Sequence, residues 1–137
     1  MRNAFLAAAV LMLATGCGAY HFPGAESPSP TGTVSGTVVA IPCAPVEKAG
    51  QTCSGRPVAN LELDYSRGQS TTAHTVTDAK GNYSIDLPAG TYAVKPITYM
   101  RVISGPIKLT VGAGTSAVAN YVLDSGIRVP IATQPSA

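Results

Sequence analysis

Side chains that carry chemistry are scarce in this chain of 137 residues, which contains no Trp, two His and three Cys. Only 12% of the residues are charged, against about 25% in an average soluble protein, and the formal net charge is +2. Binding to nucleic-acid phosphates requires clustered Lys and Arg, so this composition excludes a nucleic-acid binder. The few His and Cys leave little material for a metal site or for nucleophilic catalysis.

Gly and Pro are plentiful by contrast, with 14 and 11 residues. A chain of this length favours a single domain, and no stretch shows the period of about 3.6 residues that marks an amphipathic helix. The composition therefore argues against a helical bundle and favours a turn-rich fold.

The N-terminus carries an apolar run. Arg2 is followed by the ten apolar residues Ala4–Leu13, a length that suits a secretory signal but falls short of the roughly 20 residues that span a bilayer. Small residues then lead to Cys17. The stretch resembles the bacterial lipoprotein signal, in which the cysteine is lipidated and becomes the new N-terminus.

The usual leucine of that signal lies three residues before the cysteine, whereas here Ala14 holds that place and Leu13 lies one residue earlier. An ordinary secretory signal cleaved near Gly16 is therefore the alternative. We predict that residues 1–16 are a lipoprotein signal peptide and that Cys17 carries fatty acid such as palmitate. Two or three acyl chains give a stable anchor where one does not, which places the protein outside the cytoplasm, on the cell membrane or outer membrane.

The remainder divides into three parts. Residues 17–31 contain three prolines among Gly and Ser and lack periodicity, so we predict an extended tether after the lipidated cysteine. We expect a folded domain over residues 32–124. Residues 125–137 have two prolines and no following element, and are predicted to be a disordered tail.

Segments with a two-residue period, separated by turn signals, fill the predicted domain at a spacing of about 8–12 residues. The clearest is Val58–Tyr65, in which Leu61 and Leu63 alternate with Glu62 and Asp64. Such spacing predicts one all-β antiparallel sandwich. The seven predicted strands begin near Thr33, Val58, Thr71, Tyr83, Tyr92, Ile107 and Ala119.

Two cysteines remain once Cys17 is assigned to the lipid anchor. An even pair in an exported chain predicts a disulfide between Cys43 and Cys53. Closing this loop would contribute about 3 kcal/mol on the chain-entropy account. A two-cysteine metal site is the alternative, but no His or acidic residue stands at ligand spacing nearby.

The segment Thr77–Val94 reads T-D-x-x-G-x-Y-x-x-x-L-P-x-G-x-Y-x-V and resembles the signature of the carboxypeptidase regulatory-like domains. The resemblance implies a seven-stranded antiparallel sandwich of the Ig-like, transthyretin-like type. In metallocarboxypeptidases this module is an accessory to a catalytic domain. Here Cys43–Glu47 and Asp124–Arg128 also resemble segments of small bacterial secreted proteins of that superfamily. The turn and ring positions of the signature are Asp78, Gly81, Tyr83, Pro88, Gly90 and Tyr92.

No set of residues with catalytic spacing emerges. His74 lies in a polar strand, the string Gly32–Gly36 lacks nucleophile-elbow spacing, and a lysine occupies a ligand position in the calcium-loop-like string Asp78–Asn82. We predict no catalytic, cofactor-binding or metal residues, and hence a non-enzymatic binding or structural module of the cell envelope. The alternative to a non-enzymatic module is an enzyme whose site has an unfamiliar arrangement of residues.

The partners expected are a membrane, through the anchor on Cys17, and a protein or polysaccharide of the envelope. Tyr99, Met100 and Arg101 lie in a loop-like stretch and are candidate ligand contacts. A carbohydrate- or cell-wall-binding accessory module is the alternative function that these residues suggest.

Overall fold

The computed structural model describes residue 24, residues 27–46 and residues 48–127 of the chain. The predicted signal peptide, Cys17, most of the predicted tether and residues 128–137 of the predicted tail lie outside the described residues. Every helix or strand in the described ranges is a β-strand, and these ranges hold no helix with the length and apolar character needed to cross a membrane.

The described residues form ten β-strands. Most of these strands bury alternate residues, as a strand does when one face packs on a core. The strands are β1 (Thr31–Ile41), β2 (Arg56–Pro57), β3 (Glu62–Arg67), β4 (Ser70–Val76), β5 (Asn82–Pro88), β6 (Gly90–Ile97), β7 (Arg101–Ser104), β8 (Lys108–Val111), β9 (Ser116–Val118) and β10 (Tyr121–Asp124).

The strands form two sheets that pack face to face. One sheet is antiparallel, with the order β4-β3-β6-β8. The other is organised around β1, whose 11 residues serve two successive neighbours on each side. Along one side β1 pairs antiparallel with β5 and then with β2. Along the other side it pairs parallel with β9 and then with β10, and β7 adds antiparallel to β10.

The interruption between β9 and β10 is bridged by a side chain. Asn120 Oδ1 accepts a hydrogen bond from the backbone N–H of Thr37 at 2.9 Å, and so supplies the partner that a continuous strand would have given. The backbone of Gly36 lies directly against the carbonyl of Ala119, and a Cβ at this position would overlap that carbonyl. The close approach of the two strands therefore requires glycine.

Tyrosines fill much of the space between the sheets. Tyr65, Tyr83, Tyr92 and Tyr121 are each at most 5% exposed, and burial raises the pKa of Tyr65 to about 12 because a phenolate cannot be solvated there. Three of the hydroxyls donate to backbone carbonyls: Tyr83 to Ala119, Tyr92 to Pro88 at 2.6 Å and Tyr121 to Pro106 at 2.8 Å. These tyrosine rings pack in the core while their hydroxyls bond to backbone carbonyls at the margins of the core.

The predicted all-β sandwich is confirmed. The structure has ten strands where the sequence predicts seven; the additional β2, β7 and β9 are two to four residues long, too short to leave a clear alternating pattern. The predicted antiparallel pairing holds except between β1 and both β9 and β10, which are parallel. Parallel pairing between distant segments leaves no local mark in the sequence.

Candidate binding site

A hollow of about 220 Å³ opens at one end of the sandwich. We call this region the open end and define it by six of the residues that line the hollow: Arg56, Pro57, Val58, Tyr99, Met100 and Ile127. Most of them are apolar, and Arg56 is the one charged residue among the described residues that line the hollow. A concavity that combines apolar side chains with exposed polar atoms and a placed charge is a candidate ligand site.

Tyr99 forms one rim of the hollow from the connection between β6 and β7. The hydroxyl of Thr98 accepts a hydrogen bond from the backbone N–H of Met100 at 3.1 Å, which bends the chain at Tyr99. The Tyr99 side chain is 93% exposed, whereas Met100 packs against the core. The turn therefore presents an aromatic ring to solvent on a backbone that is fixed from behind.

Arg56 also lines the hollow and forms a second rim, and β1 together with the disulfide restricts its position. In β2, Arg56 pairs with Ala40 of β1. The predicted disulfide is confirmed: Cys43 and Cys53 are joined, with their Cα atoms 5.7 Å apart. Between the disulfide and Arg56, the backbone of Gly55 packs on the side chain of Val39. The disulfide thus lies three residues before Arg56 and restricts the position of the Arg56 backbone.

The first turn of the motif Thr77–Val94 packs against Pro57 and Val58, which form one wall of the hollow. The Asp78 carboxylate accepts hydrogen bonds from the backbone N–H groups of Lys80 at 2.8 Å and Asn82 at 2.9 Å. These bonds, that of Asn82 foremost, lower the pKa of Asp78. Gly81 closes the turn with a φ of 75°, and a Cβ there would meet the Cα of Pro57 at 3.3 Å.

Thr77, which begins that motif, holds the residues behind the hollow. It is 3% exposed. Its hydroxyl donates to the carbonyl of Val58 at 2.6 Å and accepts from the N–H of Leu61 at 2.9 Å. Both hydrogen-bonding roles of the buried hydroxyl are therefore used, and the chain between β2 and β3 is fixed from the core side.

Residues after β10 form the remaining wall. Ser125 donates from its backbone N–H to the carbonyl of Ile41 at 2.9 Å, and Gly126 N–H donates to the Asp124 carboxylate at 2.9 Å. The first residues of the predicted tail thus pack beside the end of β1. Ile127 lines the hollow as a consequence.

The other end of the sandwich carries an arginine and a tyrosine in a different state. We call it the closed end, defined by Arg67, Tyr92 and the turn Pro88–Gly90. The Arg67 guanidinium lies 4.5 Å from the centroid of the Tyr92 ring and donates to the Tyr92 hydroxyl at 2.8 Å and to the carbonyl of Ala89 at 2.6 Å. Gly90 has a φ of 153°, a backbone conformation that residues with a Cβ rarely adopt, so this turn requires glycine.

The residues singled out from the sequence are only partly brought together. Tyr99 and Met100 lie at the hollow, but Arg101 is not in the predicted loop: it begins β7, where it pairs with Asp124 in register and through an ion pair of 3.8 Å. The β-branched residues that follow Arg101 favour a strand. Sequence reasoning missed Arg56, whose one signal was its place shortly after Cys53.

Other candidate chemistry is dispersed. His74 is exposed on β4, and the described residues contain no cluster of three or more His, Cys, Asp or Glu that could hold a metal ion. A second hollow, of about 190 Å³, lies beside the disulfide and is lined by Cys43, Ala44, Gln51, Thr52 and Cys53. Its described lining residues include no charged side chain, whereas the open end has Arg56 and the exposed ring of Tyr99, so we take the open end as the candidate site.

No protein-family model and no curated protein matches this sequence. Several solved structures are similar to it, including the following two. One is GBS52, the minor pilin of Streptococcus agalactiae, with a TM-score of 0.49 and 19% identity over 80% of this chain and 49% of that one. The other is the TIE protein of Bacillus anthracis, with a TM-score of 0.50 and 17% identity over 69% of this chain and 16% of that one. At this identity the second likeness concerns the fold alone.

Proposed function

We propose that this chain is an exported, lipid-anchored β-sandwich of the cell envelope that binds a partner at the open end and catalyses no reaction. The observation that carries the proposal is the disulfide between Cys43 and Cys53, because such bonds persist in oxidising compartments outside the cytoplasm. The apolar run before Cys17 supports export on independent grounds.

The anchor and the tether give this proposal its geometry. Acyl chains on Cys17 would fix the chain to a membrane, and residues 17–31 would hold the sandwich away from it. At about 3.3 Å per residue, a fully extended segment of this length reaches roughly 50 Å. The domain would then meet partners in the envelope rather than lipid.

The sandwich itself we assign to the carboxypeptidase regulatory-like type. The support is that the motif Thr77–Val94 supplies two structural turns, one beneath the wall of the open end and one at the closed end. Both turns need the glycine that the motif specifies, at Gly81 and Gly90. Modules of that type act as accessories rather than as catalysts, which agrees with a binding role.

A carbohydrate- or cell-wall-binding accessory role is the second candidate function. The exposed ring of Tyr99 favours it, because aromatic faces are suited to the apolar faces of sugar rings. This candidate specifies the partner of the same open end and leaves the anchor unchanged.

The anchor is tested by metabolic labelling of the full chain with palmitate in a bacterial host, followed by membrane fractionation. We expect the wild type to take up label and to sediment with membranes. Cys17→Ser should lose the label and leave the membrane fraction, while Cys53→Ser, the control at another cysteine, should keep it. A wild type that is exported, unlabelled and free of membranes would replace the lipid anchor with an ordinary secretory signal.

A further inference from the structure

We propose that the hollow at the open end binds one sugar residue that bears a carboxylate, with Tyr99 against the ring and Arg56 on the carboxylate. The inference rests on the proposed function of the open end as a binding site. It adds the chemical class of the ligand and the role of each rim.

The aromatic rim supplies a surface for the ring. Tyr99 is 93% exposed, whereas the four core tyrosines are at most 5% exposed. The negative face of a phenol ring attracts the weakly positive C–H groups on the flat side of a pyranose, as it attracts other positive edges. Because the turn at Thr98 and Met100 fixes the backbone, little chain entropy is lost when a ligand stacks there.

The charged rim supplies the selectivity. The Arg56 side chain is exposed and makes no hydrogen bond or ion pair with another described residue. Arg101, the neighbouring arginine, is paired with Asp124. A guanidinium presents a rigid fork of donors that matches the two oxygens of a carboxylate. The unpaired charge at the hollow therefore belongs to Arg56, and its complement is an anion.

The size and the edge of the hollow favour a sugar over a peptide. A volume of about 220 Å³ lies below the roughly 300–1,000 Å³ of pockets that hold drug-sized ligands, and fits a single ring. A peptide would bind by adding a strand to an open edge. Both edges of the sheet beside the hollow are short: β2 has only two residues, one of them Pro57, which has no N–H to donate, and β7 has four.

The test uses the full chain in a detergent without a sugar headgroup and measures binding by calorimetry. The probes are oligosaccharides of glucuronate, galacturonate and muramate, with neutral glucose oligomers of equal length and a polyglutamate peptide as comparisons. We expect at least one acidic oligosaccharide to bind more tightly than the neutral oligomer and the peptide, by about tenfold or more.

Two variants assign the roles. Tyr99→Ala should weaken binding of acidic and neutral sugars alike, by about tenfold. Arg56→Gln should weaken only the acidic sugar, so that its affinity falls to that of the neutral one, and the same preference should decline with added salt. Lys108→Gln, which removes an exposed charge from β8 in the other sheet, is the matched control and should leave both affinities unchanged.

Three results would overturn the inference. Equal affinity of the wild type for acidic and neutral sugars would show that the carboxylate is not recognised. Tighter binding of polyglutamate would show that the ligand is a peptide and not a sugar. Failure of all three acidic oligosaccharides to bind would remove the ligand class altogether. None of these results bears on palmitate labelling of Cys17, so the proposed anchor stands or falls separately.

Discussion

The two ends of this sandwich each present an arginine and a tyrosine, and the two pairs differ in what surrounds them. At the closed end, Arg67 reaches the ring and hydroxyl of Tyr92 and a backbone carbonyl. At the open end, the Arg56 side chain makes no hydrogen bond or ion pair with a described residue, and Tyr99 is almost fully exposed. The same two residue types therefore stabilise the fold in one place and remain available to a ligand in the other.

The difference arises from the neighbouring backbone. The turn Pro88–Gly90 directs a carbonyl at the Arg67 guanidinium, and Gly90 leaves room for it. The turn at Thr98 instead satisfies its own N–H group locally and leaves the Tyr99 ring outside the packed layer. A carbonyl within reach, rather than the identity of the side chains, separates a structural pair from a binding pair.

Alkaline pH should have the largest effect on stability and unfold both ends of the sandwich together, because both ends pack on the same core. The pKa of Tyr65 is raised from 10.0 to about 12 by burial, and burial also raises the pKa of Tyr83 and Tyr121. Their stabilising contribution is complete below pH 10 and declines as the pH rises above 10, and that of Tyr65 is lost by about pH 12. Circular dichroism against pH should show cooperative unfolding in this window, unchanged in Tyr99→Phe. A midpoint below pH 9 would contradict the account.

Removal of the disulfide should affect the open end more than the closed end. The double substitution of Cys43 and Cys53 by Ser should lower the free energy of unfolding by about 3 kcal/mol, measured by urea denaturation, since the unfolded chain is no longer restrained. Native-state amide exchange should accelerate around Arg56 and remain slow around Tyr92. Equal acceleration at both sites would show that the disulfide does not act locally.

Arg67→Ala should lower the free energy of unfolding by roughly 1–2 kcal/mol, because the carbonyl of Ala89 and the Tyr92 hydroxyl lose a charged donor. Arg67→Lys keeps the charge but loses the fork geometry, and should recover only part of this loss. Full recovery by lysine would mean that charge alone, without the shared contacts, holds the closed end.

Arg56→Ala and Tyr99→Ala should have the smallest effect on stability. Each should change the free energy of unfolding by less than about 0.5 kcal/mol, as for exposed side chains without partners. The same urea series as for Arg67 measures this. A loss comparable to that of Arg67→Ala would show that the open end is also structural, and the contrast between the two pairs would disappear.

The sequence predicts some of these features well and others not at all. The alternation around Leu61 and Leu63 predicts a strand because one face is buried, and cysteine number predicts the disulfide because an even pair is expected in a chain that is predicted to be exported. Thr77 is recognisable as part of a motif, but its two buried hydrogen bonds depend on where the connection from β2 to β3 passes the residue that follows β4. Packing between such separate segments has no local pattern in the sequence.

The open end shows the same limit. Tyr99 and Met100 can be proposed as ligand contacts because they lie in a loop-like stretch of the sequence, and binding residues are often on loops. Arg56 cannot, because its approach to Tyr99 requires β1 to pair with β2 and the residues after β10 to fold back beside Ile41. Arg101 is misplaced for a related reason: its strand, β7, exists through pairing with β10.

The most direct test of the account is amide chemical-shift mapping of the full chain, in detergent, during titration with an acidic oligosaccharide. The account predicts saturable shifts at residues 56–59 and 98–100, and none at Arg67 or at residues 88–92. Saturable shifts centred on Arg67 and Tyr92, with residues 56–59 and 98–100 unperturbed, would contradict it, because the pair assigned to the fold would then be the pair that binds.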